Sequence, residues 1–178
     1  MRFTVLACAA ALLAAVPAEA ALPVGAKAPD FTTKGALAGK PFNLRLKQQL
    51  KKGPLVLYFF PAAFTQGCTL EAHEFSEAYD DFAAAGARVV GLSADPYDKL
   101  AKFSVDACRN KFPVATASQE VIKAYDVVLP QKPTLTNRTS YVIAPDGTVI
   151  YAHSDLSYKD HVKNTLAAVR KWKASRSK

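Results

Sequence analysis

Cysteine is scarce in this sequence, with three among 178 residues: Cys8, Cys68 and Cys108. None forms the C-x-x-C pair that thiol–disulfide exchange on proteins uses to release a trapped substrate. Thr65 stands three before Cys68 and Glu71 three after. A C-x-x-x-C pair, as a copper-handling module would carry, is missing too, because Ala72 fills that position. Histidine is equally sparse. His73, His153 and His161 fall at no metal-ligand spacing, so no metal site is expected. Internal repeats, low-complexity stretches and Gly/Ser linkers are absent, which argues against several domains. Acidic residues are the minority, 15 against 23 basic, for a net charge of +8. The basic residues are scattered and gather only from Arg170 to Lys178, the pattern of a solvated chain end rather than of a nucleic-acid surface.

The one long apolar run is at the start. Met1-Arg2 is positive, Phe3 to Val16 is almost unbroken hydrocarbon, Pro17 interrupts it, and Ala18-Glu19-Ala20 presents small residues at signal-peptidase spacing. This is the layout of a secretory signal, with cleavage expected after Ala20, and the run is short of the roughly 20 residues that span a bilayer. Residues 1–20 are therefore read as a cleaved signal peptide and 21–178 as one domain, exported and periplasmic, without stable membrane insertion after cleavage. Such a domain is large enough to bury a core without disulfide staples. Cys68 and Cys108, its only cysteines, are either a structural bridge or a working redox pair.

After an N-terminal segment read as irregular (21–53), Pro54 to Phe60 is continuous, apolar and rich in strand formers, as a buried central strand should be. Phe75, Ala78, Tyr79 and Phe82 then repeat at helical spacing up to Gly86. Arg88–Ser93 reads as a second strand, and Asp95-Pro96 opens a helix carrying Leu100, Phe103 and Ala107 that ends before Pro113. A short segment at Phe112–Ala115, a helix at Gln119–Tyr125 and a loop bearing Pro130 and Pro133 follow. Thr139–Ala144 and Thr148–Tyr151 make a hairpin around Pro145-Asp146-Gly147. A last helix is expected from Lys159 to Trp172, with Phe103 and Trp172 as core residues. The order predicts an α/β, thioredoxin-like fold: a central mixed sheet with helices on both faces.

Chemistry concentrates where the central strand gives way to its helix, at Pro61-Ala-Ala-Phe-Thr65-Gln-Gly-Cys68. Cys68 falls in the first helical turn, where unpaired backbone N–H groups and the positive dipole end favour a thiolate over a thiol. Thr65 can aim a hydroxyl at the same point, Pro61 removes a competing backbone donor, and Gly67 allows close approach of a small ligand. A nucleophilic thiolate among fixed donors suits attack on an O–O bond. The cation such a site needs is assigned to Arg138, which opens the Thr139–Ala144 strand.

The P-x-x-x-T-x-x-C motif after an apolar strand, followed by R-x-x-Y-V-I-x-x-x-G, resembles the peroxiredoxin family. Phe59-Phe60-Pro61 and Cys68-Thr69-Leu70-Glu71-Ala72 are most similar to its bacterioferritin-comigratory, or Q-type, branch. The resemblance spans about Leu22 to Trp172. It implies a thiol-dependent peroxidase for hydrogen peroxide or organic hydroperoxides that works through a sulfenic acid on Cys68 and needs no cofactor. It makes Thr65 and Arg138 the activators, Pro61 a shield, Glu71 a partner positioning Arg138, and a thioredoxin-like protein the thiol reductant. Many Q-type members carry a second cysteine five residues after the first; here that residue is His73. Cys108 is then the candidate resolving thiol, expected to sit apart from Cys68 in the reduced form. The other readings are a thioredoxin-like thiol–disulfide oxidoreductase and a redox-inactive binding module on the same fold.

Overall fold

The computed structural model describes residues 21–176; the expected signal segment 1–20 lies outside the described residues. The strand read from Pro54 to Phe60 is β3 (Leu55–Phe59), and all five of its residues are fully buried. Its uniform apolarity follows from strand periodicity. Val56 and Tyr58 enter the core on one face, while Leu55, Leu57 and Phe59 enter the other. With each large side chain contributing roughly 1.5–3 kcal/mol on full burial, no position of β3 tolerates a polar residue.

β3 is an interior strand, next to the middle one, in a seven-stranded sheet with β1 (Thr32–Leu37), β2 (Lys40–Arg45), β4 (Arg88–Ser93), β5 (Val114–Thr116), β6 (Thr139–Ile143) and β7 (Val149–Ser154), in the order β2-β1-β5-β4-β3-β6-β7. The β3–β4 and β4–β5 pairs are parallel; the remaining pairs are antiparallel. One face carries α2 (Gln66–Glu77), α3 (Tyr79–Ala84), α4 (Tyr97–Asp106) and α6 (His161–Arg176). The other carries α1 (Leu46–Leu50) and α5 (Gln119–Ala124). This is the thioredoxin-like α/β sandwich that the order of elements predicts.

Four differences from the sequence reading have physical causes. The segment 21–53 is not irregular: it forms the β1–β2 hairpin and α1. Its turn is Ala38-Gly39 with φ of 51° and 73°, a two-residue turn whose alanine hides the usual Asn-Gly or Asp-Gly signal. The helix read through Phe75 and Phe82 is broken at Ala78, which ends α2 and precedes α3. Just before the break, the Ser76 hydroxyl donates to the Ala72 carbonyl at 2.9 Å, a bond that competes with the helical ladder. Cys108 lies beyond the α4 cap at Ala107 rather than within the helix. Trp172 is only half-buried, unlike the fully buried Phe103. It lines a surface groove of about 470 Å³ between β7 and α6, with Ile150, Tyr151 and Lys171.

Candidate active site

The chain leaves β3 through Phe60 and Pro61 and enters α2 at Thr65, so Cys68 is the third residue of the helix. The first intrahelical bond runs from the Thr69 N–H to the Thr65 carbonyl at 2.9 Å. The N–H groups of Gln66, Gly67 and Cys68 precede it and point toward the strand end. Cys68 is 1% exposed, in the same apolar cluster as Phe75 and Phe103, so the sulfur is more enclosed than a bare helix start implies.

Arg138, immediately before β6, reaches this sulfur. Its Nη2 lies 3.4 Å from Cys68 Sγ, its Nη1 donates to Glu71 Oε2, and its Nε donates to the Leu156 carbonyl at 2.9 Å. The backbone holds it as well, because the Asp155 N–H donates to the Arg138 carbonyl at 3.2 Å. Gly67 makes room for this arrangement: a Cβ there would lie 3.3 Å from Arg138 Nη2. Its role is to admit the guanidinium over the helix start, beyond the ligand approach expected from sequence. Unit charges about 4 Å apart attract by roughly 4 kcal/mol at an effective dielectric near 20, against about 0.3–1 kcal/mol for a helix dipole. Arg138 therefore dominates the field at the sulfur.

Glu71 is fully buried. Burial pushes its carboxyl up to about 8, with the Arg138 charge and hydrogen bond pulling the other way. For Arg138, burial alone would lower the pKa, but the charges of Glu71 and Cys68 outweigh it and raise it. Glu71 Oε1 has no hydrogen-bond partner among the described residues and lies 3.8 Å from Nδ1 of His161, itself fully buried at the start of α6.

The loop over the sulfur is fixed from below. The Ala63 N–H donates to Asp95 Oδ2 at 2.6 Å, and the same carboxylate accepts from Ser93 Oγ at 2.8 Å and pairs with Lys99 at 2.7 Å. Asp95 thus anchors the Pro61–Thr65 loop instead of capping its own helix, whose cap position is Pro96. Thr136 Oγ1 secures the other end, donating to the Phe60 carbonyl at 2.6 Å. Phe64 takes a left-handed φ of 66°, and its half-exposed ring stands edge-on to Phe103 at 5.2 Å. The Thr65 hydroxyl donates to the Ala62 carbonyl at 3.0 Å, which leaves its oxygen free to accept.

The fold thus brings Cys68, Arg138 and Glu71 into contact, with Pro61 and Thr65 on the loop beside them. Cys108 is elsewhere. Ser76 Oγ lies 3.5 Å from the carbonyl of Ala107, the residue before Cys108, and Ser76 is eight residues along α2 from Cys68, roughly 12 Å at 1.5 Å per residue. Both cysteines are free thiols. Arg109 and Lys111, which flank Cys108 closely in sequence, pair with Glu77 and Asp80 at the surface. Burial raises the Cys108 pKa well above its ordinary value. Sequence reasoning missed Asp95 and His161. Asp95 read as a helix opener. His161 had been weighed only as a metal ligand, although it shares a face with buried Thr165 and Val169 at four-residue spacing. Among the described residues, no group of three or more histidine, cysteine or carboxylate side chains is disposed to hold a metal ion.

Comparison with known proteins identifies the family of the chain. Residues 24–152 match the model of the AhpC/TSA family. The chain is 33% identical over 153 residues to the chloroplastic peroxiredoxin Q of Sedum lineare, covering 84% of this chain and 78% of that protein. The crystal structure of peroxidoxin BcpB from Mycobacterium tuberculosis superposes with a TM-score of 0.73 at 35% identity, over 83% of this chain and 96% of that one. A reduced 2-Cys peroxiredoxin of Plasmodium vivax shares the fold, with a TM-score of 0.75 at 20% identity over 87% of this chain and 99% of that one. The chain therefore belongs to the AhpC/TSA, or peroxiredoxin, family, on its Q-type side, and is a thiol-dependent peroxidase.

Proposed function

We propose that Cys68 is the peroxidatic residue of this enzyme and that Cys108 resolves it. The Cys68 thiolate attacks one oxygen of the peroxide, the O–O bond breaks, and the departing oxygen leaves as alcohol or water after taking a proton. The cysteine is left as a sulfenic acid. Arg138 Nη2 favours the thiolate and stabilises charge on the departing oxygen, while Glu71 positions the guanidinium. Thr65 accepts a hydrogen bond from the substrate O–H, and Pro61 keeps a backbone donor away from the sulfur. The observation that carries this reading is the 3.4 Å approach of Arg138 to Cys68 at a helix N-terminus.

In the second step the Cys108 thiol displaces water from the sulfenic acid to give an intramolecular disulfide. An external dithiol, such as that of a thioredoxin-like protein, then reduces it with two electrons and two protons. The Cα atoms must come within about 7 Å, so the turn after α4 and the first turn of α2 have to open. Supporting this, Arg109 and Asn110 hold consecutive left-handed φ values of 48° and 61°, a strained non-glycine pair beside Cys108. The substrates are hydrogen peroxide or organic hydroperoxides, and the site of action is the periplasm, reached through the 1–20 signal.

Cys68→Ser tests the central assignment. It is a near-isosteric change whose stability cost should stay within about 1–2 kcal/mol, and peroxide consumption should vanish. Mass spectrometry after one equivalent of peroxide should show one added oxygen or a lost pair of hydrogens in wild type and neither in the variant. Turnover retained by a folded Cys68→Ser protein would remove Cys68 from the mechanism.

A further inference from the structure

Behind the Cys68–Arg138 contact lies a buried polar frame built on His161. Its Nε2 is 2.9 Å from the carbonyl of Asp155, which can only accept, so Nε2 carries the proton. Nδ1 is then the lone-pair nitrogen and accepts from the Ser140 hydroxyl at 2.8 Å. Ser140 is on β6, two residues after Arg138 and across the ladder from His153 on β7. The His153 ring is 4.6 Å from that of His161. Asp155 is bonded through its N–H to the Arg138 carbonyl, and its neighbour Leu156 supplies the carbonyl that receives Arg138 Nε. The turn is stiffened by the Ser157 N–H donating to Asp155 Oδ1 at 2.8 Å. It also backs onto the active-site helix, because the Tyr158 ring lies 3.9 Å from where a Gly67 Cβ would be.

We propose that His161 is a positioning residue of the peroxidase step: its Nε2–H holds the Asp155 carbonyl and, through the Asp155–Leu156 turn, fixes the plane of the Arg138 guanidinium against Cys68. Three separate pieces of chain (β6, the β7–α6 turn and α2) converge on this imidazole, through Ser140, Asp155 and Glu71. Arg138 has the Glu71 carboxyl on one side and a sulfur on the other, and the Leu156 carbonyl decides which way its fork faces. Loss of that tether lets the guanidinium rotate toward Glu71 alone. The charged and titratable groups around the ring are Glu71 from α2, Arg138 from β6, His153 from β7 and Asp155 from the turn. Amid them burial keeps His161 neutral, the form that both bonds require.

The inference rests on the reading of Cys68 and Arg138 above, and two substitutions separate it from simple packing. His161→Gln retains an amide N–H near the Nε2 position and so the bond to Asp155. His161→Asn retains only the acceptor near Nδ1. The expected result is a peroxide step within about twofold of wild type for His161→Gln and slowed about tenfold or more for His161→Asn, as small misplacements of catalytic groups produce. In ¹⁵N-arginine spectra the Arg138 Nε–H should exchange slowly with solvent in wild type and His161→Gln, and rapidly in His161→Asn. Equal rates in wild type and a folded His161→Asn protein, with Arg138→Ala still slow, overturn the inference while leaving the Arg138 assignment standing. If His161→Asn does not fold, His161→Gln decides alone: a folded His161→Gln protein that loses Nε–H protection and rate overturns it, and one that keeps both supports it.

Discussion

Arg138 makes three directed contacts at once, to a thiol sulfur, a carboxyl group and a carbonyl, and only a planar guanidinium has donors in that disposition. Arg138→Ala is expected to slow the peroxide step by about 10²–10³-fold, the usual loss when one preorganised donor to a developing charge is removed. Alkylation of Cys68 by iodoacetamide at pH 7 should slow in parallel. Arg138→Lys should recover little of either, because an ammonium cannot serve sulfur and Glu71 together. Rapid-mixing kinetics at fixed peroxide distinguish these outcomes, and a wild-type rate in the alanine variant would make the contact ornamental. Cys68, Thr65 and Pro61 were readable because their spacing is local. Arg138 was readable as a cation opening a strand. Its pairing with Glu71 followed from the family resemblance, but its links to Leu156 and His161 were not readable, since these belong to other segments.

Among the elements, the C-terminus of α4 carries the open mechanistic question. Cys108 is sealed in the core beside the α2 segment around Ser76. Both thiols lie near enough to the buried Tyr58 hydroxyl for their charges to raise its pKa, after the larger effect of burial. Cys108→Ser should abolish the intramolecular disulfide seen by mass spectrometry after peroxide, together with turnover supported by a dithiol-protein reductant. The first, single-turnover oxidation of Cys68 should remain unchanged. Normal cycling in that variant would make Cys108 a bystander and the enzyme a one-cysteine peroxidase. The other elements were legible in proportion to their burial. β3 and β4 declared themselves by unbroken apolarity, whereas the β1–β2 hairpin did not, because its edge strand contains Pro41 and its turn an alanine. The break at Ala78 was invisible because helical spacing continues through it.

For the whole molecule, two buried groups set the pH dependence of stability in opposite senses. Burial lowers the His161 pKa to about 4, with the Asp155 hydrogen bond opposing, so the unfolded chain binds more protons between about pH 6.5 and 4. His161's contribution, about 3 kcal/mol from the shift, is fully present above pH 6.5 and is lost as pH falls toward 4. Glu71, raised to about 8, works the other way: its contribution is present at low pH and is lost as pH rises from about 4.5 to 8. From pH 7 to 4.5 the urea midpoint of wild type should shift less favourably than that of His161→Gln, which shares the Glu71 gain but lacks the imidazole. Equal shifts would mean that the ring does not titrate in the fold. A second whole-chain expectation is that the product recovered from the periplasm of a Gram-negative host begins at Ala21; recovery of intact Met1 protein from the cytoplasm would discard the export reading. By itself the sequence determined the sandwich, the strand–loop–helix that presents Cys68, and the family, because these follow from hydrophobic period and from motifs a few residues long. Only the tertiary structure decided that Asp95 anchors the active-site loop, that the chain just before Cys108 meets α2 at Ser76 rather than at Cys68, and that His161 stands behind Arg138. Each of these joins residues tens of positions apart, and such contacts depend on how helices settle on a twisted sheet, which local pattern does not encode.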